Sequence, residues 1–162
     1  MKTMPVNRPE MPPPDLEQLF NAAIRYMQSG EYAFAYRCLG MTNKFDIATS
    51  YNKALCCYQV SWFSECRNLL MEAERQLPSL TDIRMDDLPE AFFQWEYESS
   101  PDLCPMPYGA PLSIAAIQML KLKVYNSYKL HLYGEMRDAA SRLGGKYKHI
   151  NELIKETHHG NM

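Results

Sequence analysis

Apolar residues recur at three- and four-residue spacing over most of this chain, the period of a helix with one buried face. Leu16, Leu19, Phe20, Ala23 and Met27 predict a first helix that ends near Gln28. Asp15 stands before it as an N-cap, with Gln18 at the third helical position as in a capping box. Ser29-Gly30 breaks the pattern, and Tyr32, Ala35, Tyr36 and Leu39 predict a second helix that fades between Gly40 and Asn43. Phe45, Ile47, Tyr51, Ala54, Leu55 and Tyr58 predict a third, to about Gln59. Ser61 is the expected cap of a fourth, with Trp62, Phe63, Cys66, Leu69, Leu70 and Ala73 on its apolar face and Pro78 at its end. Nowhere does the alternation of a half-buried strand persist.

Either side of this block the pattern changes. Residues 1–14 carry Pro5, Pro9 and Pro12 to Pro14 and read as an extended arm. Residues 79–112 form an acidic, proline-rich insert: Asp82, Asp86, Asp87, Glu90, Glu96, Glu98 and Asp102 face the single base Arg84. Within it Pro89 can open a short helix bearing Phe92, Phe93 and Trp95, and Ser99 to Pro111 reads as an ordered, irregular loop. Helix resumes from Ser113 to about Tyr133, with Gly134 as the expected break. A helix from Glu135 to Leu143 closes on Gly144-Gly145, and a last one runs from Tyr147 to about Glu156. Residues 158–162 form a polar tail.

The chain also repeats itself. A shift of 31 positions sets Phe20 on Tyr51, Asn21 on Asn52, Ala23 on Ala54, Ile24 on Leu55, Tyr32 on Phe63 and Leu39 on Leu70. Leu19, Ala22, Ala23 and Tyr26, then Gly30-Glu31-Tyr32, Ala35 and Leu39, form one unit. Ala54, Cys57, Ser61-Trp62-Phe63, Cys66, Leu70, Ala73 and Pro78 form the next, and Gly134-Glu135-Met136 with Ala139 and Leu143 a weaker third. At these residues the sequence resembles a divergent member of the tetratricopeptide repeat family, with a period shorter than the usual ~34 residues. The resemblance implies an all-α fold, an array of antiparallel helical hairpins wound as a superhelix and interrupted by the insert. Its single domain would span residues 15–157, with units at about 16–45, 46–78 and 113–145.

The same resemblance implies a concave groove lined by the first helix of each pair. Glu17, Phe20, Asn21, Ile24 and Met27 would line it in the first unit, and Ala48, Tyr51, Asn52, Leu55 and Tyr58 in the second. The recurring Asn21 and Asn52 suit paired hydrogen bonds to an extended peptide backbone. The competing reading makes both of them solvated surface residues. Phe20, Ile24 and Ala48 stand where the carboxylate-gripping members of the family need basic residues, so that mode is not expected. The insert, docked through Phe92, Phe93 and Trp95, could fill the groove of its own chain.

Composition narrows the function. The 162 residues are 46% hydrophobic and 22% charged, ordinary globular usage. Seventeen basic against nineteen acidic side chains argue against a protein held mainly by nucleic-acid phosphates. Lys121, Lys123, Lys129, Arg137, Arg142, Lys146, Lys148 and Lys155 do cluster in sequence, but on several helix faces. No stretch is long and apolar enough for a membrane helix, and no signal peptide is visible. Cys38, Cys56, Cys57, Cys66 and Cys104 lack zinc-site spacing and read as reduced thiols, which implies a cytoplasmic setting. No phosphate loop, HExxH pair or GxSxG elbow occurs. Only Cys104, with His131 or His149, offers an enzymatic alternative, a thiol–histidine pair. The expectation is a non-enzymatic adaptor without cofactor or metal, binding a protein or peptide segment through Phe20, Asn21, Ile24, Met27, Tyr51, Asn52, Leu55 and Tyr58. A small secretion or assembly chaperone is a specialised version. With barely three units, homodimerisation through an open end is compatible with the pattern.

Overall fold

The computed structural model describes residues 15–42, 46–77, 103–145 and 147–159. The expected arm at 1–14, Phe45, Pro78, the acidic stretch with Phe92, Phe93 and Trp95, and residues 160–162 lie outside the described residues. Among the described residues there are seven helices and no strand: α1 (Leu16–Gln28), α2 (Tyr32–Met41), α3 (Ile47–Gln59), α4 (Phe63–Arg75), α5 (Leu112–Lys129), α6 (Tyr133–Arg142) and α7 (Lys148–His159). The fold is all-α. Two helices start on aspartate caps: Glu17 N–H donates to Asp15 Oδ1 at 3.1 Å, and Thr49 N–H to Asp46 Oδ1 at 2.9 Å.

Three turns share one backbone geometry. Gly30, Ser61 and His131 have φ of 78°, 66° and 59°, the left-handed region. The next residue in each case, Glu31, Trp62 or Leu132, has ψ near 67–69° and caps the second helix of the pair. Its N–H reaches back to the carbonyl of Tyr26, Cys57 or Ser127 at 2.8, 2.7 and 2.8 Å. This is the bond pattern that satisfies the last carbonyls of a helix before the chain reverses. A large aromatic then opens each second helix: Tyr32, Phe63 and Tyr133.

These turns correct two expectations. Ser61 is not the cap of α4 but the left-handed residue before it, and Trp62 takes the cap position with no side-chain bond. The third break falls at His131, three residues before Gly134, which lies inside α6. A glycine is permitted at the left-handed position but is not required there, since histidine tolerates that region better than most residues. His131 is also held by its ring, with Nδ1 2.9 Å from the Tyr133 hydroxyl.

Sequence neighbours pack on one another from α1 to α7, and α3 also touches α5. Ala23, Ala35, Ala54, Cys66, Ala73 and Ala139 are fully buried, small side chains that allow close helix approach. α5 is buried continuously from Ala115 to Leu122, so its sequence lacks a clear polar stripe. Charged pairs tie α4 to the helices beyond it. Arg67 grips Glu135 with two bonds of 2.6 and 3.0 Å, while Glu74 accepts from Lys123 at 3.0 Å and from Arg142 at 2.8 Å. No helix among the described residues is long and apolar enough to cross a membrane.

Candidate functional site

The stretch from Leu103 to Ala110 enters α5 without forming a helix, for reasons written in its residues. Pro105, Pro107 and Pro111 lack N–H donors, and each proline biases the residue before it toward an extended backbone. The segment ends in a tight turn: Ala110 N–H donates to the Pro107 carbonyl at 3.3 Å, with Gly109 at φ 73°, where a side chain would be strained. Between two prolines, Met106 carries the only backbone donor of the Pro-Met-Pro triplet.

Asn52 on α3 takes that donor and the acceptor beside it. Met106 N–H donates to Asn52 Oδ1 at 2.8 Å, and Asn52 Nδ2 donates to the Met106 carbonyl at 2.9 Å. The amide thereby imitates a neighbouring strand, and it is fully buried. One residue earlier on α3, the Tyr51 hydroxyl donates to the Cys104 carbonyl at 2.8 Å and lies 3.5 Å from Gln118 Oε1 of α5. Met106 is itself only 1% exposed, packed into the core cluster. On α1, Phe20 meets the Tyr108 ring edge to face, with centroids 5.6 Å apart. Helices α1 and α3 thus cradle a strap of the same chain, with Gln118 of α5 beside the Tyr51 hydroxyl.

The eight expected groove residues divide. Phe20, Tyr51 and Asn52 come together on the strap. Met27 and Leu55 are buried in the core. Ile24 and Tyr58 are half-buried, and Tyr58 stacks edge to face on Phe63 at 5.6 Å. Burial raises the Tyr58 hydroxyl pKa. Of the two recurring asparagines only Asn52 clamps a backbone, whereas Asn21 is exposed on α1. Met106 and Tyr108 were not among the expected site residues. Their signal in the sequence is the Pro-x-Pro spacing followed by Tyr-Gly.

A second surface also escaped the pattern reading. An apolar cleft of about 620 Å³ opens between α2 and the α3–α4 turn, bounded by Tyr32, Tyr36, Met41, Val60 and Trp62. Trp62 is 63% exposed and Met41 58%. Cys56 and Cys57 lie buried beside it, their thiols pushed up to about 12 and about 11, mainly by burial. Burial likewise pushes the Cys66 thiol up. These three are poor nucleophiles because the thiolate is the reactive form. Cys104 is half-buried in the strap, and His131 pairs with Tyr133. Among the described residues no three His, Cys, Asp or Glu side chains are grouped to hold a metal ion. Several of the clustered bases are engaged within the fold: Lys123 and Arg142 on Glu74, and Lys121 over the Tyr147 ring at 4.2 Å. Comparison with known proteins finds no match to a family model, to a curated protein or to a solved structure.

Proposed function

We propose that this chain is a non-enzymatic protein-interaction module of tetratricopeptide-like kind, which holds an extended segment of a partner in the concave face formed by α1, α3 and α5. The observation that carries the reading is the reciprocal pair of hydrogen bonds between the Asn52 amide and the Met106 backbone. That contact recognises main chain, as an extended segment lying along the helix would present it. Three repetitions of one turn geometry support the repeat reading, because stacked copies of one hairpin give each inner helix an equivalent position. Balanced charge favours a protein ligand over nucleic acid, whose phosphates call for concentrated positive potential.

Photo-crosslinking in the native cells tests the assignment. A photoreactive residue at Ile24 or Tyr58, the two groove positions left half-buried, should form adducts with a partner protein. One at the exposed Lys155 of α7 should not. The same adducts from all three positions, or none from the groove pair, would contradict it.

A further inference from the structure

The strap shows what the cradle accepts. Its backbone is gripped at Cys104 and Met106, its one deeply buried side chain is the Met106 thioether, and its aromatic ring lies on Phe20. Pro107, Tyr108 and Gly109 are exposed on their outer side, so this end of the strap borders solvent while Met106 anchors its middle. We infer that residues 103–108 are a resident stand-in for the ligand, and that the groove takes an extended, uncharged partner segment with an unbranched apolar side chain between two prolines and an aromatic after them. This rests on the groove reading above and adds the chemistry of the partner.

Each feature of that motif has a physical reason. Proline on both sides leaves one N–H to satisfy, and the Asn52 amide oxygen satisfies it; another residue there would bring a second donor into the contact. Prolines also pre-set the extended form, which lowers the ordering cost of binding. A methionine-sized chain fills the space that Met106 fills, and a charge there would be stranded without water. The strap competes with any partner as a tethered ligand at an effective concentration of order mM. A short free peptide should therefore bind wild type more weakly than a chain whose strap is weakened.

The test is fluorescence anisotropy with a labelled, end-blocked peptide of residues 103–110 carrying serine in place of its cysteine. Full chains are compared: wild type, Met106→Ala, and Met106→Ala with Asn52→Leu. The peptide should bind the Met106→Ala chain at least about tenfold more tightly than wild type, because the tethered competitor is weakened. Aspartate in place of its methionine, or alanine in place of both prolines, should weaken it by at least about tenfold, and Asn52→Leu should abolish binding. Equal binding of the aspartate peptide, or no binding to a folded Met106→Ala chain at about 1 mM, overturns the inference. So does loss of helical circular dichroism in Met106→Ala, since a displaceable strap cannot be what the helices need to fold. Sedimentation of wild type decides the remaining occupant. A dimer that Asn52→Leu dissolves would assign the groove to a second copy's strap and overturn the partner. Crosslinks at Ile24 and Tyr58 are read without peptide, so adducts there beside a silent titration would remove this inference and leave the groove.

Discussion

Replacing Asn52 by leucine keeps the branching of the side chain and removes both of its bonds to Met106. If the strap stays docked, the Met106 N–H and carbonyl are stranded in the interior at roughly 1–3 kcal/mol each. Burial of the leucine returns about 1–2 kcal/mol of this. If the strap instead lifts away, Met106 leaves a site where it is 1% exposed, at about 2–3 kcal/mol, and Tyr51 loses its carbonyl partner at about 1 kcal/mol more. The two routes cost about the same, so the expected loss is about 3 kcal/mol, or a melting temperature lower by about 6–12 °C. Urea unfolding followed by far-ultraviolet circular dichroism measures it. A second variant separates the routes. Met106→Ala alone should cost about 2–5 kcal/mol; if the strap has lifted, it should cost almost nothing on top of Asn52→Leu. Strong coupling of this kind is the expected outcome, because the strap's contacts act as one unit. An Asn52→Leu chain within about 0.5 kcal/mol of wild type would refute the clamp, since that is the size of an ordinary surface change.

Three further outcomes follow from the geometry. Ser61→Gly should stabilise the chain by about 0.5–1 kcal/mol, because Ser61 is exposed at φ 66° and glycine relieves that strain while giving back part of the gain as chain entropy; urea unfolding reads the sign. In the native chain at mildly alkaline pH a thiol reagent should modify the half-buried Cys38 and Cys104 well before Cys56, Cys57 and Cys66, and mass spectrometry of labelled peptides distinguishes the order. The bonds from Arg67 hold the Glu135 carboxyl below the usual glutamate range, against a smaller opposing effect of burial. The stabilisation from that pair is therefore present above the unfolded pKa and lost as pH falls through the lowered folded value. Both partners are more than a third exposed, so a double-mutant cycle should give no more than about 1 kcal/mol at neutral pH, vanishing in acid.

The outer helices were legible because their burial is one-sided. α1 presents Phe20, Ala23 and Met27 inward at helical spacing, and the same pattern marks α4, whereas α3 is buried almost all round from Thr49 to Cys57. The turns were legible only where glycine announced them. At Gly30 residue type and backbone agree, whereas at His131 the left-handed residue is not the glycine three positions later. The register of a turn is decided by hydrogen bonds to carbonyls five residues back, which residue types report only loosely. Asn52 was legible as a backbone-binding amide because it recurs one unit after Asn21, but the pattern could not say that only one of the two reaches a backbone. What escaped was long-range. The strap lies more than fifty residues from Asn52 along the chain, and no local period encodes that meeting. Spacing likewise gave no sign that Trp62, at a helix cap, would stand beside an open cleft rather than in the core.

The most direct measurement of the proposed groove is the side-chain amide resonance of Asn52 in isotopically labelled Met106→Ala protein as the 103–110 peptide is added. The account predicts that this signal shifts progressively and saturably, with the Tyr51 neighbourhood following and the α7 surface unmoved. An Asn52 amide that stays in place while the peptide binds elsewhere, for instance beside Trp62, would contradict it.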